Sequence, residues 1–322
     1  MAGALRFRND GTFTIVQFTD LHWQNGEPKD LRTRDLMERI LEAEQPDLIV
    51  FTGDLIYAPN CRDPKRSLRD ALAVAEESGI PWAAVFGNHD AEGAASRPEL
   101  MAAMRDMRGC LAESGPADVH GTGNYLIRLE DRSGRTRNAL YFVDTGALSE
   151  LPWVPGYDWV RRDQIRWYAG ESARLTAGNG GAAVPSLAFF HIPLPEYAEV
   201  WRTQVCYGRG YERPGCPRVN SGWFAAWSEL ADVVGAFCGH DHINDYGGKL
   251  LNTWLYYGRA SGYQAYGLWR FARGARVIRL RAGEREFDTW VRLHDGRVID
   301  KPPVHRPWRH WIGEKLRKPF GR

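Results

Sequence analysis

Histidines cluster at a particular kind of place in this chain. Five of the nine follow closely on a short apolar run, in Thr19-Asp20-Leu21-His22, Gly87-Asn88-His89-Asp90, Phe190-His191-Ile192-Pro193 and Gly239-His240-Asp241-His242. A further run ends in Thr52-Gly53-Asp54, a carboxylate without a histidine. One histidine near a core is ordinarily a satisfied packing residue; five at the ends of apolar runs ask for another explanation. Neutral imidazole and carboxylate are natural ligands for divalent transition metals. Two Asp, one Asn and four His make seven ligands, which is many for one ion and suits two ions that share a bridging carboxylate. Paired ions about 3.5–4 Å apart clamp an in-line displacement at phosphorus and turn a bound water into hydroxide near neutral pH. No G-x-S-x-G elbow and no C-x₅-R segment offers a protein nucleophile instead. A two-His, one-carboxylate oxygenase triad can be drawn from the same residues, but it leaves the other ligands unused.

The apolar runs have the length and composition of buried strands: Thr14–Thr19, Leu48–Thr52, Ala83–Phe86, Ala139–Val143, Leu187–Phe190 and Val233–Cys238. They are continuous rather than alternating, as expected of strands covered on both faces. Between them, helices are predicted over Leu31–Glu44, Leu68–Glu77, Pro98–Met107, Asp158–Arg174 (with Asp158 as its cap) and Ser221–Ala231. Beyond residue 245 strands dominate, over Leu250–Tyr257, Arg276–Arg281 and Glu286–Leu293, with a turn at His294-Asp295-Gly296. The expectation is a layered α/β sandwich with two central sheets. Strand ends in such sheets gather at one edge, where loops build sites. No repeat or linker divides the chain, so one domain over residues 1–300 is expected, followed by a basic aromatic tail over 301–322. That tail carries Lys301, Arg306, Arg309, Lys315, Arg317, Lys318 and Arg322 interleaved with Trp308, Trp311 and Phe320; the plainer reading packs its rings on the body and leaves its charges solvated.

Composition narrows the function class. The 322 residues are 43% hydrophobic, 25% charged and 12% aromatic, with a net charge of +2. That is too rich in aromatics for disorder and too neutral for a protein that lives along nucleic-acid phosphates. No apolar run reaches the ~20 residues that span a bilayer, and the N-terminus shows no signal-peptide pattern, so a cytoplasmic location is expected. Five cysteines without C-x-x-C spacing argue against a structural zinc site. Cys206 and Cys216, ten residues apart, are read as reduced thiols, with a local disulfide as the alternative.

In order along the chain, D-x-H at Asp20–His22, G-D at Gly53–Asp54, G-N-H-D at Gly87–Asp90, His191 and G-H-x-H at Gly239–His242 resemble the calcineurin-like metallophosphoesterase superfamily. The resemblance implies a four-layer αββα sandwich with two central mixed sheets. It implies that Asp20, His22, Asp54 and His242 hold one ion, and that Asp54, Asn88, His191 and His240 hold the other. It makes His89 not a ligand but a group facing the substrate phosphate, as acid or charge stabiliser. His191–Tyr197 (HIPLPEY), Gly239–Tyr246 (GHDHINDY) and Gly258–Gly267 (GRASGYQAYG) resemble the purple-acid-phosphatase-like subgroup. Gly53–Tyr57 also fits the G-D-x-x-Y motif in which tyrosine binds ferric iron. Here, however, His22 fills the position that such enzymes leave to glycine, so His22 is expected as the ligand and Tyr57 as its neighbour. The implied cofactors are two divalent transition-metal ions, Mn, Fe or Zn. The implied activity is hydrolysis of a phosphate ester on a small molecule or phosphoprotein by a metal-bound hydroxide, most simply a phosphomonoester. A phosphodiesterase and a non-catalytic scaffold are the alternatives. Among weaker candidates, Asp90 is offered as a ligand-orienting group and Arg209, Arg213 and Arg218 as phosphate clamps. Asn220, Tyr197 and Tyr263 are offered as cleft residues, and Asp241 is expected to face away.

Overall fold

A computed structural model describes residues 5–307. Two sheets form its centre. The first holds β1 (Leu5–Arg6), β5 (Tyr125–Glu130), β6 (Thr136–Phe142), β7 (Ser186–Phe189), β8 (Cys206–Tyr207), β9 (Val233–Cys238), β10 (Gly247–Leu250), β11 (Thr253–Tyr257) and β15 (Val304–His305), in the order β1-β5-β6-β7-β9-β11-β10-β8-β15. The second holds β2 (Thr12–Phe18), β3 (Leu48–Thr52), β4 (Trp82–Val85), β12 (Gly274–Arg281), β13 (Phe287–Leu293) and β14 (Val298–Ile299), in the order β14-β13-β12-β2-β3-β4. Both are mixed: β2, β3 and β4 run parallel with β12 antiparallel beside β2, and β6, β7, β9 and β11 run parallel with β5 antiparallel beside β6.

The alternation of side chains explains the layering. Along β6, Leu140 and Phe142 enter one apolar cluster while Tyr141 and Val143 enter another; along β7, Leu187 and Phe189 part from Ala188 and Phe190 in the same way. The first cluster fills the space between the sheets and extends to α1 (Pro28–Glu44), α2 (Pro64–Ser78) and α3 (Arg97–Arg105). The second lies under α4 (Arg162–Gly178), α5 (Pro195–Thr203) and α6 (Trp223–Leu230), with Tyr168, Tyr197, Trp223 and Trp227 buried. Strands buried on both faces need apolar residues at every position, which is why they read as continuous runs. The result is the αββα sandwich.

Some expectations need correcting. Asp158 does not cap α4: Arg161 is the cap residue, and the Asp158 carboxylate accepts from Arg161 Nη2 at 2.6 Å. Leu250–Tyr257 is not one strand but the turn and second arm of a hairpin, with Leu251 in the left-handed region at φ 50°. Helix α5 is absent from the sequence-based expectations; Pro195 occupies its first turn, where no N–H is needed. Of the segment read as a tail, Val304–His305 pairs with β8 at the edge of the first sheet, and His305 stacks on Trp201 at 3.7 Å; Trp308, Trp311 and Phe320 lie outside the described residues. All five cysteines are free, so Cys206 and Cys216 form no disulfide. Among the described residues no helix is long and apolar enough to cross a membrane.

Candidate metal centre

The parallel strands of the two sheets point the same ends at one edge, and the chemistry-bearing residues follow those ends. Asp20 and His22 leave β2, Asp54 leaves β3, Asn88 and His89 leave β4, His191 leaves β7, and His240 and His242 leave β9. The turns are tight. Asp20, His22, Asp54 and His240 all sit at positive φ, 55°, 50°, 50° and 79°, conformations that persist only where the surroundings enforce them. The glycine before each motif answers to crowding. A Cβ on Gly53, itself at φ 88°, would lie 2.6 Å from His191 Nδ1, and one on Gly239 would lie 1.9 Å from Thr19 Oγ1.

All seven expected ligands converge and all are buried, from 0% exposed at His191 to 8% at His240. Ligand atoms of Asp20, His22, Asp54 and His242 lie within 4.8 Å of one another, as do those of Asp54, His191 and His240. Asp54 is common to both groups. Its Oδ2 is 3.2 Å from His191 Nε2 and 3.4 Å from His22 Nε2. His22 Nε2 and His242 Nε2 face each other at 3.1 Å. Asn88 Oδ1 joins the second group, 3.2 Å from His191 Nε2. The outer atoms are anchored: Asp20 Oδ1 accepts from the His240 N–H at 3.0 Å, Asp54 Oδ1 from the His89 N–H at 2.9 Å, and His191 Nδ1 donates to the Thr52 carbonyl at 2.8 Å, turning Nε2 inward.

The inner carboxylate oxygens are not satisfied. Asp20 Oδ2 and Asp54 Oδ2 are buried without an aligned hydrogen bond, and so is His242 Nδ1, on the far side of a ring that faces the cluster through Nε2. Buried carboxylate oxygens left this way are costly. Burial also disfavours charge on every member. It lowers His22 to about 4 and His240 to about 3, and raises Asp20 to about 7. Asp54 and His191 resist burial as a pair: the imidazolium holds Asp54 well below the usual carboxylate range, and Asp54, Asp20 and the Thr52 carbonyl lift His191 to about 9. Two converging carboxylates, an amide oxygen and four imidazoles, with orphaned inner atoms, are a donor set that fits divalent transition-metal ions.

Around the open side stand residues of several loops. His89, a third exposed in its side chain, is hydrogen-bonded through Nδ1 to Glu92 Oε2 at 2.5 Å. Tyr57 packs against His22 and His89 with centroids 5.9 and 5.1 Å away, as a neighbour of these rings. Tyr157 meets His240 edge-on at 4.5 Å. Tyr266 lies over His242 at 4.0 Å, its hydroxyl 2.7 Å from Glu212 Oε2. Asp90 braces the loops, taking the Ile56 and Gly87 N–H groups at 2.9 and 2.7 Å. Asp241 faces away, as expected, toward Tyr257 Oη (2.6 Å) and the Gly215 N–H. Three residues offered for the cleft are engaged elsewhere. Tyr197 is fully buried with its hydroxyl on the Ala236 carbonyl, Asn220 donates to Glu196, and the Tyr263 ring lies under Arg32. None of Arg209, Arg213 and Arg218 hydrogen-bonds to the ligand cluster among the described residues; Arg209 is held by its backbone N–H on Asp245 Oδ1.

Sequence reading missed Glu92, Tyr157 and Glu212, which sit in loops with no motif of their own; it missed Tyr266 although the Gly258–Gly267 motif contains it, and it missed Arg97. The Arg97 guanidinium bridges the Gly87 carbonyl (2.9 Å), the Gly146 carbonyl (2.8 Å) and the fully buried Asp144 carboxylate (2.5 Å). Removing a buried cation strands its partner. Arg97→Met is therefore expected to lower stability by about 3 kcal/mol, softened by the N–H groups of Thr122 and Gly146 that still reach Asp144. Denaturant unfolding checks this; a loss under about 1 kcal/mol would show that the clamp carries no weight.

Residues 13–244 match the family model described as calcineurin-like phosphoesterase. The chain belongs to that family. Several relatives match this chain over about nine tenths of its length. An Arabidopsis thaliana protein named probable inactive purple acid phosphatase 28 is 36% identical over 316 residues, 89% of this chain and 79% of its own. Another, probable inactive purple acid phosphatase 29, is 35% identical over 90% of this chain and 85% of its own. The Saccharomyces cerevisiae phosphatase DCR2 is 32% identical over 91% of this chain and 56% of its own. Among solved structures, a dimetal phosphatase from Danio rerio superposes with a TM-score of 0.56 at 14% identity, over 86% of this chain and 98% of that one. GAP50, described as the anchor in the inner membrane complex of Plasmodium, superposes with a TM-score of 0.52 at 13% identity over 94% of each. At such identities these two likenesses speak for the fold.

Proposed function

We propose that this chain is a dinuclear-metal phosphoesterase that hydrolyses phosphomonoesters. The observation that supports it best is the pair of buried ligand groups overlapping at Asp54, with a histidine outside them at the open side. In this reading Asp20, His22, Asp54 and His242 hold one ion, and Asp54, Asn88, His191 and His240 the other. Bound there, such ions supply Lewis acidity toward phosphoryl oxygens and lower the pKa of water. The chain's own residues do the rest. Asp54, common to both groups, would serve both ions, and the His89 N–H on its Oδ1 holds it in place. His191, tied to Thr52, keeps one nitrogen inward. Hydrolysis adds water across a P–O bond, and the departing alkoxide needs a proton. His89 would give it: with Nδ1 engaged by Glu92, Nε2 is the nitrogen left for the leaving oxygen. The phosphatase names of the relatives favour monoesters over diesters, and the near-neutral net charge disfavours long nucleic acid. The substrate is then a small phosphoester or a phosphoprotein.

A second reading has a specific basis. Relatives named inactive and an anchor of the same fold suggest a non-catalytic scaffold. One experiment separates the two. Protein stripped with chelator and re-supplied with Mn²⁺, Zn²⁺ or Fe²⁺ is expected to bind two ions and to regain hydrolysis of a chromogenic phosphomonoester over the matching diester. Preference for the diester would make it a phosphodiesterase. Absence of both bound metal and turnover would decide for the scaffold.

A further inference from the structure

Tyr157 belongs to no motif, yet it stands against a ligand ring. It is carried by a two-armed loop between β6 and α4. The Ser149 N–H donates to the Gly156 carbonyl at 2.8 Å, the Asp158 N–H donates to the Ala147 carbonyl at 2.9 Å, and Leu148 and Tyr157 form an antiparallel bridge. The base of this loop is tied to the site twice. Arg97 joins the Gly146 carbonyl to that of Gly87, directly before Asn88 and His89, and Thr145 Oγ1 accepts the Ile192 N–H, directly after His191. The loop is thus held in register with two of the ligand-bearing turns.

The ring of Tyr157 is perpendicular to His240, at 89° and 4.5 Å. It is half-buried, and among the described residues its hydroxyl makes no hydrogen bond. Two other polar groups at the open side are already committed: Tyr266 Oη to Glu212, and His89 Nδ1 to Glu92. A phenol keeps its proton at neutral pH, so Tyr157 presents an unspent O–H donor on a ring whose position is fixed by packing. A phosphoryl oxygen is the strong acceptor that such a donor suits. We propose that Tyr157 is a substrate-binding residue of this site, its hydroxyl donating to a phosphoryl oxygen of the bound ester. This rests on the phosphoesterase reading above, since only that reading puts a phosphoryl group beside His240.

The test uses inorganic phosphate as the probe on the metal-loaded full chain. Tyr157→Phe keeps the ring against His240 and removes only the O–H. It is expected to weaken phosphate binding, measured by calorimetry, by about tenfold. It should raise the KM for a chromogenic monoester in step while retaining two bound ions and the unfolding midpoint of the parent. Phosphate affinity equal to that of the parent overturns the assignment. So does loss of metal in Tyr157→Phe, which would make the hydroxyl a support of the ligand shell. Tyr157→Ala closes the remaining route: if it weakens phosphate binding while Tyr157→Phe does not, packing on His240 is the whole role and the proposal falls. A parent chain that takes up metal but neither binds phosphate nor hydrolyses esters overturns the phosphoesterase reading, and the Tyr157 assignment with it. A parent that binds phosphate as tightly as Tyr157→Phe overturns the assignment alone.

Discussion

Asp54→Asn is expected to leave the chain folded, with at most one bound ion and no measurable ester hydrolysis. Asparagine is the informative replacement. Asp54 sits at φ 50°, where asparagine is tolerated better than alanine, and the amide can keep its acceptor on the His89 N–H. What it loses is the charge on Oδ2, the oxygen near both His22 and His191. Removing even an outer partner of a ligand costs about 10–100-fold in metal affinity. A residue common to both groups should cost at least that at each ion. Elemental analysis beside a hydrolysis assay reads both effects. A variant with two ions and the rate of the parent would show that Asp54 does not bridge.

His89→Ala should behave in the opposite way toward metal. His89 lies outside both ligand groups, so two ions should stay. Turnover should fall by roughly 10²–10⁴, the usual contribution of a positioned proton donor. The loss should be smaller for esters whose leaving group is a good one, because a nitrophenolate needs little protonation and an alkoxide needs much. Equal losses on both would point to charge stabilisation by His89 in place of proton transfer. An unchanged rate on alkyl esters would remove His89 from the reaction. Comparing the two variants separates a residue that assembles the site from one that acts in it.

Much of this was legible from the order of residues, and the reason is local. Each ligand sits within a few residues of the end of a buried strand, and the strand announces itself as an apolar run. The glycines of Gly53-Asp54 and Gly239-His240 are visible in the sequence because no other residue fits beside His191 and Thr19. Asp90 could be suspected because it shares a turn with Asn88. Arg97, Glu212 and Tyr157 could not. Arg97 reaches Asp144, 47 residues away, and Tyr157 meets His240 across 83 positions of sequence. Such contacts are set by how loops return over a sheet edge, which no short window records. The errors have the same source. Asp158 looked like a cap because aspartate before a helix is usually one, but in the fold its carboxylate serves Arg161 and faces His120. Tyr197 looked available because it follows a ligand motif, whereas the helix that begins at Pro195 turns it into the core.

The expected ligands come from both halves of the sandwich: Asp20, His22, Asp54 and Asn88 from the six-stranded sheet, and His191, His240 and His242 from the nine-stranded one. An ion held by both sets is a rivet through the seam, and no half-built chain can hold it. Residues 20 and 242 must meet before the site exists, so metal uptake is expected late in folding, with its affinity a gauge of how well the sheets are pressed together. A substitution deep between the sheets, at Ile15 or Phe237 for instance, would then announce itself first as a protein that loses its ions to a chelator more readily, far from any residue that touches them.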